Sequence, residues 1–223
     1  MLNLRLLQLG DSDLPAGGCT HSWGLETAIA RDLVHDAASL ERWTADWLRS
    51  CVGPFDGVIV GSVCRAAADG CWPDVARANE IVTASISPPT IRNATREMGE
   101  QLQHLAQTWE WSRPKIDELP HSATSWNYCV VFGVVAAAAG STTRDAVAAY
   151  LNQAALGMIA ARVRGLSLGH TQAQQILGYL HATIAELSDL YADRSLETAG
   201  SGCPYYEVLC HEQSRLYTRL FRS

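Results

Sequence analysis

The chain has 223 residues, of which 48% are hydrophobic and 18% are charged, so it is long and apolar enough to bury a core as one globular domain. Its formal net charge is −6, and acidic residues outnumber basic ones in residues 1–110, which argues against nucleic-acid binding. Seven cysteines without a CxxC pair, and an N-terminus without a signal-peptide pattern, predict a cytoplasmic protein with reduced thiols.

The first distinctive segment is DSDLPAGGCTHSWGLE, residues 11–26, which combines a proline, a cysteine and a histidine with several glycines. This composition is typical of loops that hold phosphate or metal, and also of turns that lead into a helix. Pro15 and the pair Gly17 and Gly18 predict a tight turn. Thr20 is expected to cap a helix that begins near His21.

Apolar residues at helical spacing then predict a series of amphipathic helices. The first contains Leu40, Trp43 and Trp47 with Ser39 as its N-cap, and the proline-containing VGPFDG, 52–57, predicts its end. Further helices are predicted over 92–108, 128–140, 147–161 and 171–187. The apolar run 128–140 is too short to cross a bilayer and is expected to be a buried core helix. Alternating strand patterns are nearly absent, so we predict an all-α, single-domain bundle of about eight to ten helices over residues 1–223.

The C-terminal part of the chain differs in composition from the body. Residues 192–204 are rich in glycine, serine and charge, and they predict a mobile linker. Residues 205–220 return to helical spacing and predict a short docking helix with arginines beside Phe221. The alternative is that this helix simply packs on the core.

Catalytic motifs are absent from the sequence. There is no GxxxxGK[ST] phosphate loop and no GxSxG elbow, and HEQSR, 211–215, has arginine where a zinc protease has its second histidine. Cys203, Cys210 and His211 are weak metal-ligand candidates, since isolated cysteines are more often buried in a core. His21 is similarly more consistent with local hydrogen bonding than with catalysis. The residues alone therefore predict a helical domain with two unusual ends and identify no reaction.

Several segments in order along the chain resemble those of one known family. LLQLGDSDLPAGGCTHSWGLETAI, 6–29, is similar to the N-terminal signature of the urease accessory protein UreF family. IRNATREMGEQLQHLA (91–106), YCVVFGVVAAAAG (128–140), LSLGHTQAQQIL (166–177) and HEQSRLYTRLFRS (211–223) resemble its later motifs. Four residues depart from the family pattern, namely Cys19, Trp23, Asn127 and His170.

The resemblance implies an all-α, dimeric protein that is not itself an enzyme. Such proteins link the scaffold protein UreD, also called UreH, to the nickel-carrying GTPase UreG, and the assembly inserts Ni(II) into apo-urease. Ni(II) and GTP would then be handled by the assembly, with no cofactor bound by this chain. Two alternatives are a GTPase-activating protein for UreG and a direct nickel-binding chaperone.

The resemblance also implies that the two ends of the chain bind partners. The charge distribution and the short apolar run predict that neither a nucleic acid nor a membrane is among them. The expected partner-binding residues are His21, Trp23, Glu26, Tyr205, His211, Glu212, Tyr217, Arg219, Leu220, Phe221 and Arg222.

Overall fold

A computed structural model describes residues 2–11, 14–120, 123–161, 166, 168–213, 215–217 and 220–222. Its α-helices are α1 (Leu4–Leu9), α2 (Leu25–Ala30), α3 (Ala37–Trp47), α4 (Val58–Asp69), α5 (Trp72–Ser85), α6 (Pro89–Gln107), α7 (Arg113–Asp117), α8 (Tyr128–Ala138), α9 (Thr143–Ala161), α10 (His170–Tyr191) and α11 (Pro204–Gln213). A π-helical segment, Leu48–Gly57, joins α3 to α4 without interruption. No strand occurs in the described residues, and the predicted all-α class is confirmed.

Helix α8 forms the centre of the core, as its sequence predicts. Every residue from Tyr128 to Ala136 is buried, and α4, α6 and α9 pack around it. A helix that is apolar on all sides loses contact with water only when neighbours cover its whole circumference. The rings of Phe132 and Tyr150 meet edge to face at 5.1 Å and close the contact with α9.

Two glycines allow the neighbouring helices to approach α8 closely. A Cβ atom at Gly133 would lie 2.9 Å from Cβ of Val63, so α4 and α8 meet almost backbone to backbone. A Cβ atom at Gly99 of α6 would lie 1.9 Å from the carbonyl oxygen of Trp126. That contact is with main chain, which cannot rotate away as a side chain can.

We therefore expect Gly99→Ala to destabilise the fold by about 2 kcal/mol, because the added methyl group displaces the connection into α8. The matched control is Gly178→Ala in α10, where no atom lies within 4 Å of the added carbon. This control should gain about 0.5–1 kcal/mol from helix propensity. Urea unfolding followed by circular dichroism measures both, and equal stabilities would contradict the close contact.

The predicted break at 52–57 is wrong, because the chain continues through Pro54 in the π-helical segment. In an α-helix, a proline removes the hydrogen bond to residue i−4, and its ring clashes with that carbonyl. The wider π turn bonds to residue i−5 and relieves this conflict. Gly53 lets the π-helical segment approach α10 closely, since a Cβ atom there would lie 3.0 Å from the ring of Tyr191.

This continuity creates a helix of 33 residues, Ala37–Asp69, whose best 18-residue window has a mean hydropathy of 1.3. By length and composition alone it is able to span a bilayer. However, 61% of that window is buried inside the fold, which is the pattern of a core helix. It is the one helix in the described part of the chain that passes this test.

The start of α3 also differs from the prediction. Asp36, rather than Ser39, is the N-cap, and its Oδ1 accepts a hydrogen bond from the Ser39 amide at 2.7 Å. Ser39 returns the interaction, because its Oγ accepts the Asp36 amide at 3.0 Å. The two residues form a capping box, which satisfies two amides instead of one.

Asp56, in the π-helical segment, is a half-buried acid that packs against α8 and α9. Its Oδ1 accepts a hydrogen bond from the Tyr150 hydroxyl at 3.2 Å, and the Cys129 thiol is also hydrogen-bonded to it. Burial outweighs these bonds and raises the pKa of Asp56 to about 6. Between about pH 4 and pH 6, the Asp56 carboxyl therefore keeps its proton in the folded protein, whereas the unfolded chain has lost it.

Stability should consequently fall as pH rises from about 4 to about 6, and stay low above that range, because only the unfolded acid ionises freely. We expect Asp56→Asn to remove this loss and to stabilise the protein by about 1–3 kcal/mol at pH 7.5, with little gain at pH 4. The control is Asp46→Asn on the exposed side of α3. Urea unfolding at pH 4 and pH 7.5 measures the free energy of unfolding of each variant. An equal effect of Asp56→Asn at the two pH values would contradict the raised pKa of Asp56.

The C-terminal helix is shorter than predicted. It ends at Gln213, and the described residues 215–217 and 220–222 are not helical. Before it, residues 192–198 lie against α4, and residues 200–203 lie along the π-helical segment, with the Gly200 amide donating to the carbonyl of Pro54 at 3.1 Å. The mobility of this segment in solution stays a prediction.

Candidate functional site

The glycine-rich segment 14–24 leads into α2, and two of its glycines, Gly17 and Gly24, have left-handed backbone angles. Gly17 has a φ of +84°, and the Thr20 hydroxyl donates back to its carbonyl at 2.9 Å, so the predicted tight turn is confirmed. The predicted capping role of Thr20 is wrong, because α2 begins only at Leu25, after Gly24 with a φ of +84°. Both glycines adopt backbone angles that other residues rarely reach.

Gly24 also provides space for the C-terminal helix. A Cβ atom there would lie 3.2 Å from Sγ of Cys210 and 3.4 Å from Cβ of Leu209. The hydroxyl of Thr27, one turn into α2, donates to the Leu209 carbonyl at 3.0 Å. Helix α11 therefore packs directly on the start of α2.

Glu26 is the main polar link between the two ends of the chain. Its Oε1 accepts the main-chain amide of Leu220 at 2.7 Å, and its Oε2 accepts the amide of Phe221 at 3.2 Å. Oε2 also accepts a hydrogen bond from the Gln213 side chain at 3.1 Å. An ionised acceptor makes these bonds stronger than neutral ones. Capture of these amides gives a physical reason why the helix does not continue to residue 220.

A second polar contact lies beneath Glu26. The Ser22 hydroxyl donates to Oε1 of Gln213 at 2.9 Å, and both residues are almost fully buried. Gln213 thus accepts from Ser22 and donates to Glu26, which satisfies both ends of its amide. We call the contact of residues 20–27 with residues 209–213 and 220–222 the terminal junction.

His21 lies inside the terminal junction with 4% of its surface exposed. Its ring packs against that of Trp23 at 5.5 Å. Burial, with a further contribution from the nearby Arg222 guanidinium, lowers the pKa of His21 to about 4. The imidazole is therefore neutral at physiological pH, and it contributes packing rather than charge.

Two ion pairs lie at the rim of the junction. Arg222 bonds to Glu97 of α6 at 3.0 Å, and its main-chain amide donates to the Thr20 carbonyl at 2.8 Å. Arg31 pairs with Glu212 at 2.6 Å. Both pairs are partly exposed to solvent, so each contributes at most about 1 kcal/mol. They orient the C-terminal residues more than they stabilise them.

The structure brings most of the expected partner-binding residues to this junction, but it does not leave all of them accessible. His21 and Phe221 are buried in it, and Trp23, Glu26 and Glu212 are half-buried. Tyr205, His211, Tyr217, Leu220 and Arg222 are exposed. Arg219 lies outside the described residues. The expected docking surface therefore divides into a buried support and an exposed outer layer.

The weak metal candidates do not form a cluster. Cys203 is half-buried, His211 is exposed, and Cys210 is buried against Gly24. Burial raises the pKa of Cys210 to about 12, which disfavours the thiolate that a metal requires. The described residues contain no group of three or more His, Cys, Asp or Glu that could hold a metal ion.

One of the four departures from the family pattern has a clear structural role. Asn127 is fully buried, and its Nδ2 donates to Asn79 Oδ1 at 2.8 Å and to the Thr83 hydroxyl at 2.9 Å. Its Oδ1 accepts from the Thr95 hydroxyl at 3.2 Å. Asn127 thus joins α5, α6 and the start of α8. His170, in contrast, is exposed at the start of α10.

Sequence reasoning did not identify Ser22, Thr27 or Gln213 as part of the site. Each is a polar residue that carries no chemical motif, and each bonds to a residue more than 180 positions away. Gln213 lies in α11 where helical spacing would place an apolar residue, and that irregularity was the available signal.

The described residues form an all-α protein whose two ends meet on one surface. A sequence model of the UreF family matches residues 34–181. The chain is 31% identical over 222 residues to the urease accessory protein UreF of Ectopseudomonas mendocina, covering 98% of this chain and 97% of the relative. It is 30% identical over 223 residues to that of Cupriavidus taiwanensis, covering 99% and 97%, and 26% identical over 226 residues to that of Corynebacterium efficiens, covering 99% and 96%.

The chain belongs to the UreF family of urease accessory proteins. This membership supports a role in urease maturation together with other maturation proteins.

The terminal junction predicts a specific effect of neutralising its central acid. Glu26→Gln removes the ionised acceptor of two main-chain amides, so we expect a loss of about 1–3 kcal/mol in the attachment of residues 220–222. Limited trypsin digestion should then cleave after Arg215 about fivefold to 150-fold faster, since the state in which residues 220–222 are detached becomes more populated. The matched control is Glu186→Gln on the exposed side of α10. Unchanged cleavage in Glu26→Gln would show that the junction does not depend on this carboxylate.

Proposed function

We propose that this chain is a non-catalytic adaptor that links the UreD (UreH) scaffold to the nickel-carrying GTPase UreG during urease maturation. In this role it regulates GTP-dependent insertion of Ni(II) into apo-urease. Family membership supports a role in urease maturation. The terminal junction is the observation that supports a docking role in it. The chain itself then binds no cofactor, and Ni(II) and GTP are handled by the assembly.

The exposed side chains in and beside the terminal junction have the chemistry of a protein-binding surface. Tyr217 is fully exposed, and 55% of Leu220 and 43% of Tyr205 are also exposed. Tyrosine combines a large apolar area with a hydroxyl, and it is enriched where proteins meet. Behind this layer, Phe221 is buried and Glu26 holds its amide, which keeps the exposed side chains in place. We propose that the scaffold protein binds here.

The test is co-purification of the full chain with UreD and with UreG, followed by the variant Tyr217→Ala. Loss of a large exposed aromatic from the centre of an interface is expected to weaken scaffold binding about tenfold or more. The control is Tyr179→Ala, which removes an equally large tyrosine, 67% exposed, from α10. Circular dichroism should be unchanged in both variants. Equal binding of both variants would refute the assigned surface, and no assembly of the parent chain would refute the adaptor function.

The same preparation separates the adaptor from the two alternatives. Addition of this chain should alter UreG turnover modestly, whereas an increase of about 10³-fold or more would identify a GTPase-activating protein with an arginine acting in trans. Equilibrium dialysis against Ni(II) tests the chaperone alternative. If Ni(II) binds, and the double variant Cys203→Ala, His211→Ala loses that binding, the chain is a direct nickel carrier.

We further propose that the chain is a cytoplasmic homodimer. Exposed apolar residues elsewhere on the described surface, among them Leu33 and Leu190, provide area that a second copy could cover. Size-exclusion chromatography with light scattering measures the mass of the particle. The 24.2 kDa of a single chain would refute the dimer.

A further inference from the structure

Two cysteines far apart in sequence lie side by side between the π-helical segment and the segment before α11. Cys51 is in the π-helical segment, and Cys203 directly precedes α11. Sγ of Cys51 points at the main-chain carbonyl oxygen of Cys203 at 3.9 Å. Both residues are half-buried, so solvent reaches this pair.

Main-chain hydrogen bonds hold the two segments together on both sides of the pair. The Gly202 amide donates to the Ser50 carbonyl at 2.8 Å, and the Gly200 amide donates to the Pro54 carbonyl at 3.1 Å. Residues 51 and 203 each follow directly after one of the bonded partners. This alignment, together with the contact between Sγ of Cys51 and the Cys203 carbonyl oxygen, places the two cysteines side by side.

The other described cysteines are less suited to such a reaction. Cys64, Cys129 and Cys210 are buried, and burial raises the pKa of each thiol above its ordinary value. Cys71 is hydrogen-bonded to the Asp74 carboxylate, whose negative charge disfavours the thiolate. Burial also raises the pKa of Cys51 to about 12, but Cys51 lies against Cys203, so it has only to attack a mixed disulfide already held beside it. We therefore assign the first reaction with the external disulfide to the half-buried Cys203.

We propose that Cys51 and Cys203 are a reversible disulfide site that fastens the segment 199–203 to the π-helical segment when a small-molecule disulfide is in excess. In the first step, the Cys203 thiolate attacks oxidised glutathione and releases one glutathione thiolate. In the second, Cys51 gives its proton to solvent and attacks the sulfur of Cys203, which releases the second glutathione. Two protein thiols are oxidised, and one glutathione disulfide is reduced to two thiols.

The bond acts on the segment that leads into α11. It closes a loop between positions separated by 152 residues, and a crosslink of that length strongly restricts the unfolded chain. In the folded state it prevents the residues before Pro204 from leaving the π-helical segment. Oxidation thereby fixes the start of the helix that carries Tyr205 and the terminal junction. This inference does not depend on the proposed function, because the thiols and their contact belong to the chain alone.

The test equilibrates the full-length protein in glutathione buffers from fully reduced to fully oxidised, alkylates the remaining thiols, and maps disulfides by mass spectrometry without reduction. We expect a Cys51–Cys203 crosslinked peptide that disappears with excess thiol. Oxidation should also raise the Tm by roughly 5 °C or more, and it should slow trypsin cleavage after the exposed Arg194.

Single variants complete the test. Cys203→Ser and Cys51→Ser should each abolish the peptide and the Tm shift, whereas the control Cys71→Ser should retain both. The mapping on the unaltered chain needs no variant, so a variant that fails to fold leaves the result decisive. Only glutathione adducts on Cys203, or a Cys51–Cys210 crosslink, or no crosslink at any ratio, would each overturn the proposal.

Discussion

Helix α8 has no polar face, and this constraint organises the rest of the molecule. Such a helix is stable in water only when other helices surround it. Helices α4, α6 and α9 do so, and Gly133 and Gly99 let the first two approach closely enough. The position of α4 then determines the path of the π-helical segment before it. The position of α6 places Glu97 where the last described residue, Arg222, binds it.

The terminal junction is a consequence of this body, because α2 and α11 meet on a surface next to α6. A single carboxylate, Glu26, holds main-chain amides from the other end of the chain. The buried residues of the junction support the exposed ones, so the expected docking residues have two different roles. His21 and Phe221 are buried in the packing, while Tyr217 and Leu220 expose apolar area to solvent. A protein that binds this surface contacts both ends of the chain at once.

Buried polar groups in the core are handled in two contrasting ways. Asn127 has partners for its amide nitrogen and its oxygen, so its burial carries little cost. This network explains how the fold tolerates a departure from the family pattern at the entry to α8. Asp56 accepts hydrogen bonds from neutral donors, and its pKa is raised because burial outweighs them. The first arrangement specifies the fold, and the second makes stability depend on pH.

The sequence by itself determined the helical class, the buried helix over 128–140, the main amphipathic helices and the family, because side-chain periodicity and short motifs are local properties of the chain. Tertiary structure decided two further points. It carried the chain through Pro54, and it ended the last helix at Gln213. It also joined the two termini into one site, in which Glu26 bonds to Leu220 across 194 positions. No periodic pattern records such a bond, since its energy depends on which surfaces meet after the core has formed.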